Sequence, residues 1–168
     1  MKIIEGTKTF GFFSVNGGKN YNLHKNAPYY ITESKTDAMT IDHLAIWTYN
    51  LEGMKNFYMH YFDATSGPVY FNHSREFRSY FLSFGGTCRL EIMEMPNVPL
   101  NKNNPLKQNT GLIHFAINTG SRQKVDELTN ILREDGFKVI GEPRITGDNL
   151  YESIVLDPDG NRIELMAY

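Results

Sequence analysis

Two histidines and two glutamates of this sequence recur in matching local contexts. The string His-Leu-Ala-Ile at residues 43–46 recurs as His-Phe-Ala-Ile, and Arg-Leu-Glu-Ile-Met at residues 89–93 recurs as Arg-Ile-Glu-Leu-Met. The two histidines lie 71 residues apart and the two glutamates 73 residues apart. Imidazoles and carboxylates gathered at one place are costly to desolvate unless a cation compensates their charge. The pattern therefore predicts a divalent metal site with four ligands, His43, Glu91, His114 and Glu164.

Each of these residues also has a simpler interpretation. A single histidine on a strand is more often a hydrogen-bonded core or surface residue, and a single glutamate in a strand usually faces solvent. Because side chains alternate along a strand, His43 and the small Ala45 share the face opposite to Leu44 and Ile46, which leaves room beside the imidazole. The paired recurrence favours metal binding, and relics of a duplication that no longer bind metal are the alternative.

The elements that position these residues follow the same order in both halves, β-α-β-β-β. Asn50 can cap a helix that runs to about Phe62, and Ser121 can cap a second helix that runs to Asp135, with Gly136 suited to its C-terminal end. Strands are predicted at residues 69–71, 78–84 and 89–93 in the first half and at 138–140, 151–156 and 162–166 in the second. The expected fold class is α+β, with two βαβββ modules forming a curved, partly open mixed β-sheet cleft and the helices outside.

The chain divides into two regions of different composition. Residues 1–38 contain the turn signal Asn-Gly-Gly and no helical periodicity, which predicts an N-terminal arm or extension. Residues 39–168 carry the repeat, with modules at about 40–96 and 111–168. The Asp-Pro-Asp-Gly-Asn segment at residues 157–161 predicts a turn before the last strand.

Charge and hydropathy narrow the class of partner. The net charge of −2 gives no basic field for nucleic acid, and no run of 18 apolar residues predicts a membrane span or signal peptide. The single Cys88 excludes an intramolecular disulfide, which is typical of a cytoplasmic protein. A small-molecule substrate is therefore the expected partner, and exposed strand edges near the cleft predict a homodimer.

At these residues the sequence resembles the vicinal oxygen chelate superfamily, which includes glyoxalase I, methylmalonyl-CoA epimerase, extradiol dioxygenases and fosfomycin-resistance proteins. The resemblance covers residues 40–168 and rests on the His-Leu-Ala-Ile opening, the Asp-Pro-Asp-Gly-Asn turn and the closing Ile-Glu-Leu at 163–165. It implies paired βαβββ modules around a divalent ion that holds a substrate by two neighbouring oxygens. His43, Glu91, His114 and Glu164 match the ligand positions of that family.

The resemblance also implies a reaction. Dioxygenase-like members lack a ligand at the second position, so Glu91 favours a glyoxalase-like lyase or isomerase with Zn²⁺, Ni²⁺ or Co²⁺ rather than Fe²⁺ or Mn²⁺. The substrate would be a small α-oxo or α-hydroxy carbonyl compound or its thiol adduct, with Glu164 as the first candidate for proton carrier and Glu91 as the second. The alternatives are an iron-dependent ring-cleaving dioxygenase and a non-catalytic ligand-binding or resistance protein.

Four further residues are candidates for substrate contact. Arg144 and Arg78 could each hold an anionic group bidentately, although a solvated surface role is the simpler interpretation of either. Trp47 and Tyr151 could line the cleft. Trp47 stands where glyoxalase I carries an arginine for glutathione, so the resemblance does not extend to that substrate.

Overall fold

The computed structural model describes residues 39–168, of which Ile41–Tyr168 form one compact unit. The expectations for residues 1–38 lie outside the described residues. The first module contains β1 (His43–Trp47), α1 (Leu51–Phe62), β2 (Thr65–Ser66), β3 (Tyr70–Asn72), β4 (Phe77–Ser83) and β5 (Arg89–Glu94). The second contains β6 (Phe115–Asn118), α2 (Arg122–Glu134), β7 (Val139–Ile145), β8 (Tyr151–Leu156) and β9 (Arg162–Ala167).

Both helices begin at the predicted caps. The side chain of Asn50 accepts a hydrogen bond from the backbone N–H of Gly53 at 3.0 Å, and that of Ser121 accepts one from Lys124 at 3.2 Å. Gly136 follows α2 with a φ of 88°, a conformation that glycine adopts without a steric penalty. The sequence therefore determined the limits of both helices through local hydrogen bonding.

Two strands differ from the prediction. The two-residue strand β2 was not predicted, because two polar residues carry no alternation of apolar and polar side chains. Strand β7 extends to Ile145, five residues beyond the predicted end, and includes Pro143. This extension is tolerated because β7 is the edge of its sheet, where a residue without an N–H need not break a ladder.

The strands form two mixed sheets, in the orders β1-β5-β4-β2, with β3 also pairing with β4, and β6-β9-β8-β7. The first and last strands of each module run parallel, β1 beside β5 and β6 beside β9, while the other pairs are antiparallel. This architecture confirms the predicted α+β fold of two repeated modules. Within residues 39–168 the two sheets remain separate, each with its own strand order.

One hydrophobic core serves both modules. Tyr58 of α1 is fully buried, and its hydroxyl donates to Oδ2 of Asp157 in the second module at 2.9 Å. The rings of Phe57 and Phe137 also meet across the modules, with centroids 4.8 Å apart. Leu90 and Ile92 on one sheet and Ile163 and Leu165 on the other all contribute to this core. The apolar face of each sheet therefore points inward, and the opposite face points away from the shared core. No helix in the described part of the chain is long and apolar enough to cross a membrane.

Candidate metal centre

The first histidine and glutamate meet on the outward face of the first sheet. Strands β1 and β5 are parallel, with His43 opposite Arg89 and Ala45 opposite Glu91, so the imidazole and the carboxylate are diagonal neighbours. Nε2 of His43 lies 3.7 Å from Oε2 of Glu91. The side chains are 38% and 15% exposed, which leaves the imidazole open to a further ligand or partner.

A second carboxylate orients His43 from behind. Nδ1 of His43 donates to Oδ2 of Asp42 at 2.9 Å, and Arg89 donates to the same oxygen at 2.5 Å. These two hydrogen bonds, that from His43 first, lower the pKa of Asp42. A histidine whose Nδ1 is used in this way presents the lone pair of Nε2, the arrangement that metal-ligating histidines commonly have. Phe81 completes the support, because its ring packs edge-on against His43 with centroids 5.2 Å apart.

The second histidine and glutamate form an equivalent pair on the outward face of the other sheet. Ala116 is opposite Glu164 in the parallel pairing of β6 with β9. Nε2 of His114 lies 2.9 Å from Oε2 of Glu164, and the two side chains are 40% and 15% exposed. His114 directly precedes β6 instead of opening the strand as His43 does, because the pairing with β9 begins at Phe115.

Arg162 is the counterpart of Arg89 in the second module, but it contacts a loop and not a carboxylate behind the histidine. Nε and Nη2 of Arg162 donate to the backbone carbonyls of Pro105 and Lys107, at 2.7 and 2.9 Å. Nη1 donates to the side chain of Gln108 at 3.2 Å. Arg162 is buried and holds the connection between the modules beside His114, whereas Arg89 contacts the carboxylate behind His43.

A further glutamate lies beside Glu164. Glu152 is on the same face of the second sheet, since Glu152 is opposite Met166 and Ile154 is opposite Glu164. Its carboxylate accepts a hydrogen bond from Nη2 of Arg144 at 2.7 Å, and its side chain is 9% exposed. A hydrogen bond with Glu164, followed by burial, raises the pKa of Glu152 to about 7, while the charge of Arg144 acts in the opposite direction.

The structure brings together His43 with Glu91 and His114 with Glu164, but it does not join the two pairs. No cluster of three or more His, Cys, Asp or Glu side chains able to hold a metal occurs among the described residues. The reason is the shared core, because both outward faces point away from it. Each pair offers one imidazole nitrogen and one carboxylate oxygen. These donor types fit a divalent ion such as Zn²⁺, Ni²⁺ or Co²⁺, and each pair would supply half of the predicted four-ligand set.

The candidate substrate residues divide between the two faces of the sheets. Trp47 lies on the face of His43, four residues along β1, and is 41% exposed. Arg144 lies on the face of Glu164 through its pairing with Glu152. The other two lie on the helix side of their sheets: Arg78 forms an ion pair with Glu94, and Tyr151 donates to Asp126 of α2 at 2.8 Å. Their contact with a substrate stays a prediction.

Sequence reasoning missed Asp42, Arg89 and Glu152. The sequence contained a partial signal for Asp42, which directly precedes a predicted ligand, and for Arg89, which lies two residues before Glu91 in the repeated string. It contained less for Glu152, because the place of Glu152 beside Glu164 depends on the register between β8 and β9. Alternation along β8 does place Glu152 on the face opposite to Tyr151, which is the one signal that the sequence contained.

Comparisons with known proteins agree with this fold. The family model described as the glyoxalase/bleomycin resistance protein/dioxygenase superfamily matches residues 40–165. Among solved structures, trypanothione-dependent glyoxalase I of Leishmania major is similar, with a TM-score of 0.62 and 22% identity over 77% of this chain and 87% of that chain. A glyoxalase family protein of Enterococcus faecalis has a TM-score of 0.61 and 24% identity over 76% of this chain and 96% of its own.

A mutant glyoxalase I of Zea mays is also similar, with a TM-score of 0.61 and 22% identity, and the match covers 75% of this chain and 43% of the maize chain. At these identities the structural likeness establishes the fold alone. A comparison with curated protein sequences gives no match.

Proposed function

This chain belongs to the glyoxalase/bleomycin resistance protein/dioxygenase superfamily, and we propose that it is a divalent-metal-dependent lyase or isomerase of the glyoxalase type. Its substrate would be a small α-oxo or α-hydroxy carbonyl compound or the thiol adduct of one. The observation that carries the proposal is the recurrence of one His–Glu pair on the open face of each sheet, with nearly the same exposure in both.

The separation of the two pairs favours a site formed between two chains. Two donors from one module are too few for a structural or catalytic metal, which takes three or four protein ligands. In a twofold dimer, His43 and Glu91 of one protomer would face His114 and Glu164 of its partner, and the symmetry would create two equal sites.

Unpaired strands support the same assembly. Among residues 39–168, β1 and β6 each end a strand order, so each presents one free edge next to its histidine. Such edges invite pairing with another chain. Trp47, which lies on β1 and is 41% exposed, is an apolar side chain that a second protomer would cover.

The carboxylates would carry the proton. A bound divalent ion would polarise the carbonyl of the substrate, which acidifies the neighbouring C–H. Glu164 would take that proton as general base and return it to the adjacent carbon as general acid. Glu91 is the second candidate, and it differs from Glu164 in having the ring of Phe81 opposite it where Glu164 has Ile154. His43 and His114 would hold the ion in place.

Metal content tests the ligand set. His43→Ala and His114→Ala should each lower metal affinity strongly, because water seldom replaces a lost protein ligand. The measurement is elemental mass spectrometry on freshly purified wild-type protein and both variants. Nickel, zinc or cobalt in the wild type supports the proposal, whereas iron would favour a dioxygenase. Unchanged stoichiometry in both variants would show that the four residues are not the ligands.

Mixing the two variants tests the shared site. A heterodimer of a His43→Ala chain and a His114→Ala chain would have one site without either histidine and one site with both. Co-expression with two different affinity tags isolates that heterodimer, and one metal ion per heterodimer is the expected result. If each chain held a complete site, both sites would lack one ligand and mixing would restore nothing.

A further inference from the structure

The outward face of the second module carries a permanent positive charge beside the candidate proton carrier. Arg144 is cross-strand partner to Glu152, and its Nη2 donates to the Glu152 carboxylate at 2.7 Å. The carboxylate is 9% exposed and fixed in place, whereas the arginine side chain is 49% exposed. Only one terminal nitrogen of the guanidinium takes part in this bond, so the buried acid anchors the arginine while its other N–H donors stay available for a ligand.

The pairing of strand β7 is irregular next to this arginine. The pairing of β7 with β8 shifts register between Val139 and Gly141 and again between Gly141 and Arg144, which marks a bulge. Bulges redirect side chains and are frequent next to active sites. A Cβ atom added at Gly141 would lie 3.2 Å from Nη1 of Arg144 and 3.1 Å from Ile154, so the absence of a side chain at this position allows the guanidinium to approach the backbone closely.

The position of the guanidinium brings it toward Glu164. Gly141 is paired with Ile154, and Ile154 is paired with Glu164, so the three residues form one row across the sheet. Arg144 folds back over that row, because its Nη1 lies against Gly141. Neighbouring strands are ~4.8 Å apart, so the row spans ~10 Å from β7 to β9. An anionic group on the guanidinium would therefore lie several bonds from a carbon that exchanges its proton with Glu164.

The first module has no counterpart. By register, Ser79 occupies the place of Glu152 and Tyr70 the place of Arg144, since Ser79 is opposite Met93 and Tyr70 is opposite Ser79. Neither side chain is charged. The nearest cation on the outward face of the first module is Arg89, which is bonded to Asp42 behind His43. A substrate lying between the two half-sites would therefore meet different charges on its two sides, and that asymmetry favours one orientation.

We propose that Arg144, held by Glu152 and accommodated by Gly141, is a specificity residue that binds a carboxylate or phosphate located several bonds from the reacting carbonyl of the substrate. The inference rests on the proposed function, because it names the charge class of the substrate for the same site. A guanidinium recognises both anions through paired N–H donors, so the carboxylate and the phosphate are separate arms of the test.

The test compares neutral and anionic hydroxyketones with the metal-loaded protein. Deuterium exchange at the carbon next to the carbonyl is followed by NMR for dihydroxyacetone, dihydroxyacetone phosphate and a hydroxyketo acid with its carboxylate several bonds from the carbonyl. At least one anionic compound should have a kcat/KM ~10-fold to ~100-fold above that of dihydroxyacetone, the range expected for a charge-assisted contact. The anionic compound with the higher kcat/KM shows whether the Arg144 site prefers a phosphate or a carboxylate.

The variants isolate Arg144. Arg144→Gln should reduce the ratio of anionic to neutral kcat/KM toward one, and Arg144→Lys should restore part of it. Gly141→Ala should reduce the same ratio by less than Arg144→Gln does, because the new methyl group requires its neighbours, Arg144 among them, to shift by a few tenths of an ångström. Arg133→Gln is the matched control. Arg133 forms a comparable ion pair, at 2.6 Å, with Glu142 of β7, the strand that carries Arg144, but Arg133 itself lies on α2. This control should keep the ratio of the wild type.

Calorimetry with inorganic phosphate gives a second measurement that needs no turnover. Phosphate should bind the metal-loaded wild type and bind Arg144→Gln at least ~10-fold more weakly. Equal binding to the two proteins, or no binding to the wild type, would overturn the proposal. If none of the hydroxyketones exchanges deuterium, the proposed function fails, and the calorimetry still decides whether Arg144 is an anion site.

Discussion

The two modules use the same ligand types and support them differently. In the first, the histidine is the supported residue, because Asp42 and Arg89 fix its Nδ1 side and Phe81 packs against its ring. In the second, the glutamate is the supported residue, since Glu152 is its diagonal neighbour on the same face and Arg144 holds Glu152. The repeated frame thus orients an imidazole in the first module and a carboxylate in the second.

The largest expected effect distinguishes the two carboxylates. Glu164→Gln should lower turnover by ~100-fold to ~10,000-fold, because the amide keeps an oxygen for a metal but loses the basicity that proton abstraction requires. Glu91→Gln, its counterpart in the first module, should reduce turnover much less. Solvent-deuterium exchange into a hydroxyketone measures both. Equal, small losses from the two changes would show that neither carboxylate is the base.

A smaller effect distinguishes the two histidines. Asp42→Ala removes the acceptor behind His43 and should weaken metal binding by ~10-fold to ~100-fold, the usual cost of losing a carboxylate behind a metal-ligating histidine. Ile113→Ala alters the residue at the same place before His114 and is the matched comparison. Competition with a chromogenic chelator gives both affinities. Equal affinities in the two variants would mean that Asp42 does not orient the first histidine.

The smallest effect concerns the contact that unites the modules. Tyr58→Phe removes the hydroxyl that donates to the buried Asp157, and the free energy of unfolding should fall by ~1–3 kcal/mol. The loss is moderate because Asn161 continues to donate to the same oxygen, at 2.8 Å. Urea denaturation measures it. Two separate unfolding transitions in the variant would show that this contact couples the modules, whereas an unchanged midpoint would contradict the predicted contribution.

The sequence predicted what local chemistry and repetition determine. The caps Asn50 and Ser121, the turn at residues 157–161 and the recurrence of the His–Glu pair all follow from short segments. Strand register does not, so the sequence did not indicate that Arg78 and Tyr151 lie on the helix side of their sheets or that Glu152 lies on the face of Glu164. The separation of the two pairs was also beyond the sequence, because it depends on which faces share the core.

The hydrogen bonds from Arg162 to the backbone of the connection between the modules should affect where proteases cut. Two lysines of that connection differ in how their backbone is held: the carbonyl of Lys107 accepts a hydrogen bond from the buried guanidinium, and Lys102 lies on the exposed stretch before it. A protease needs a segment that can be drawn out into an extended strand. Trypsin should therefore cut after Lys102 before it cuts after Lys107, and the nicked protein should remain associated through the common core. A short insertion next to Lys102 should likewise be tolerated where one next to Lys107 is not.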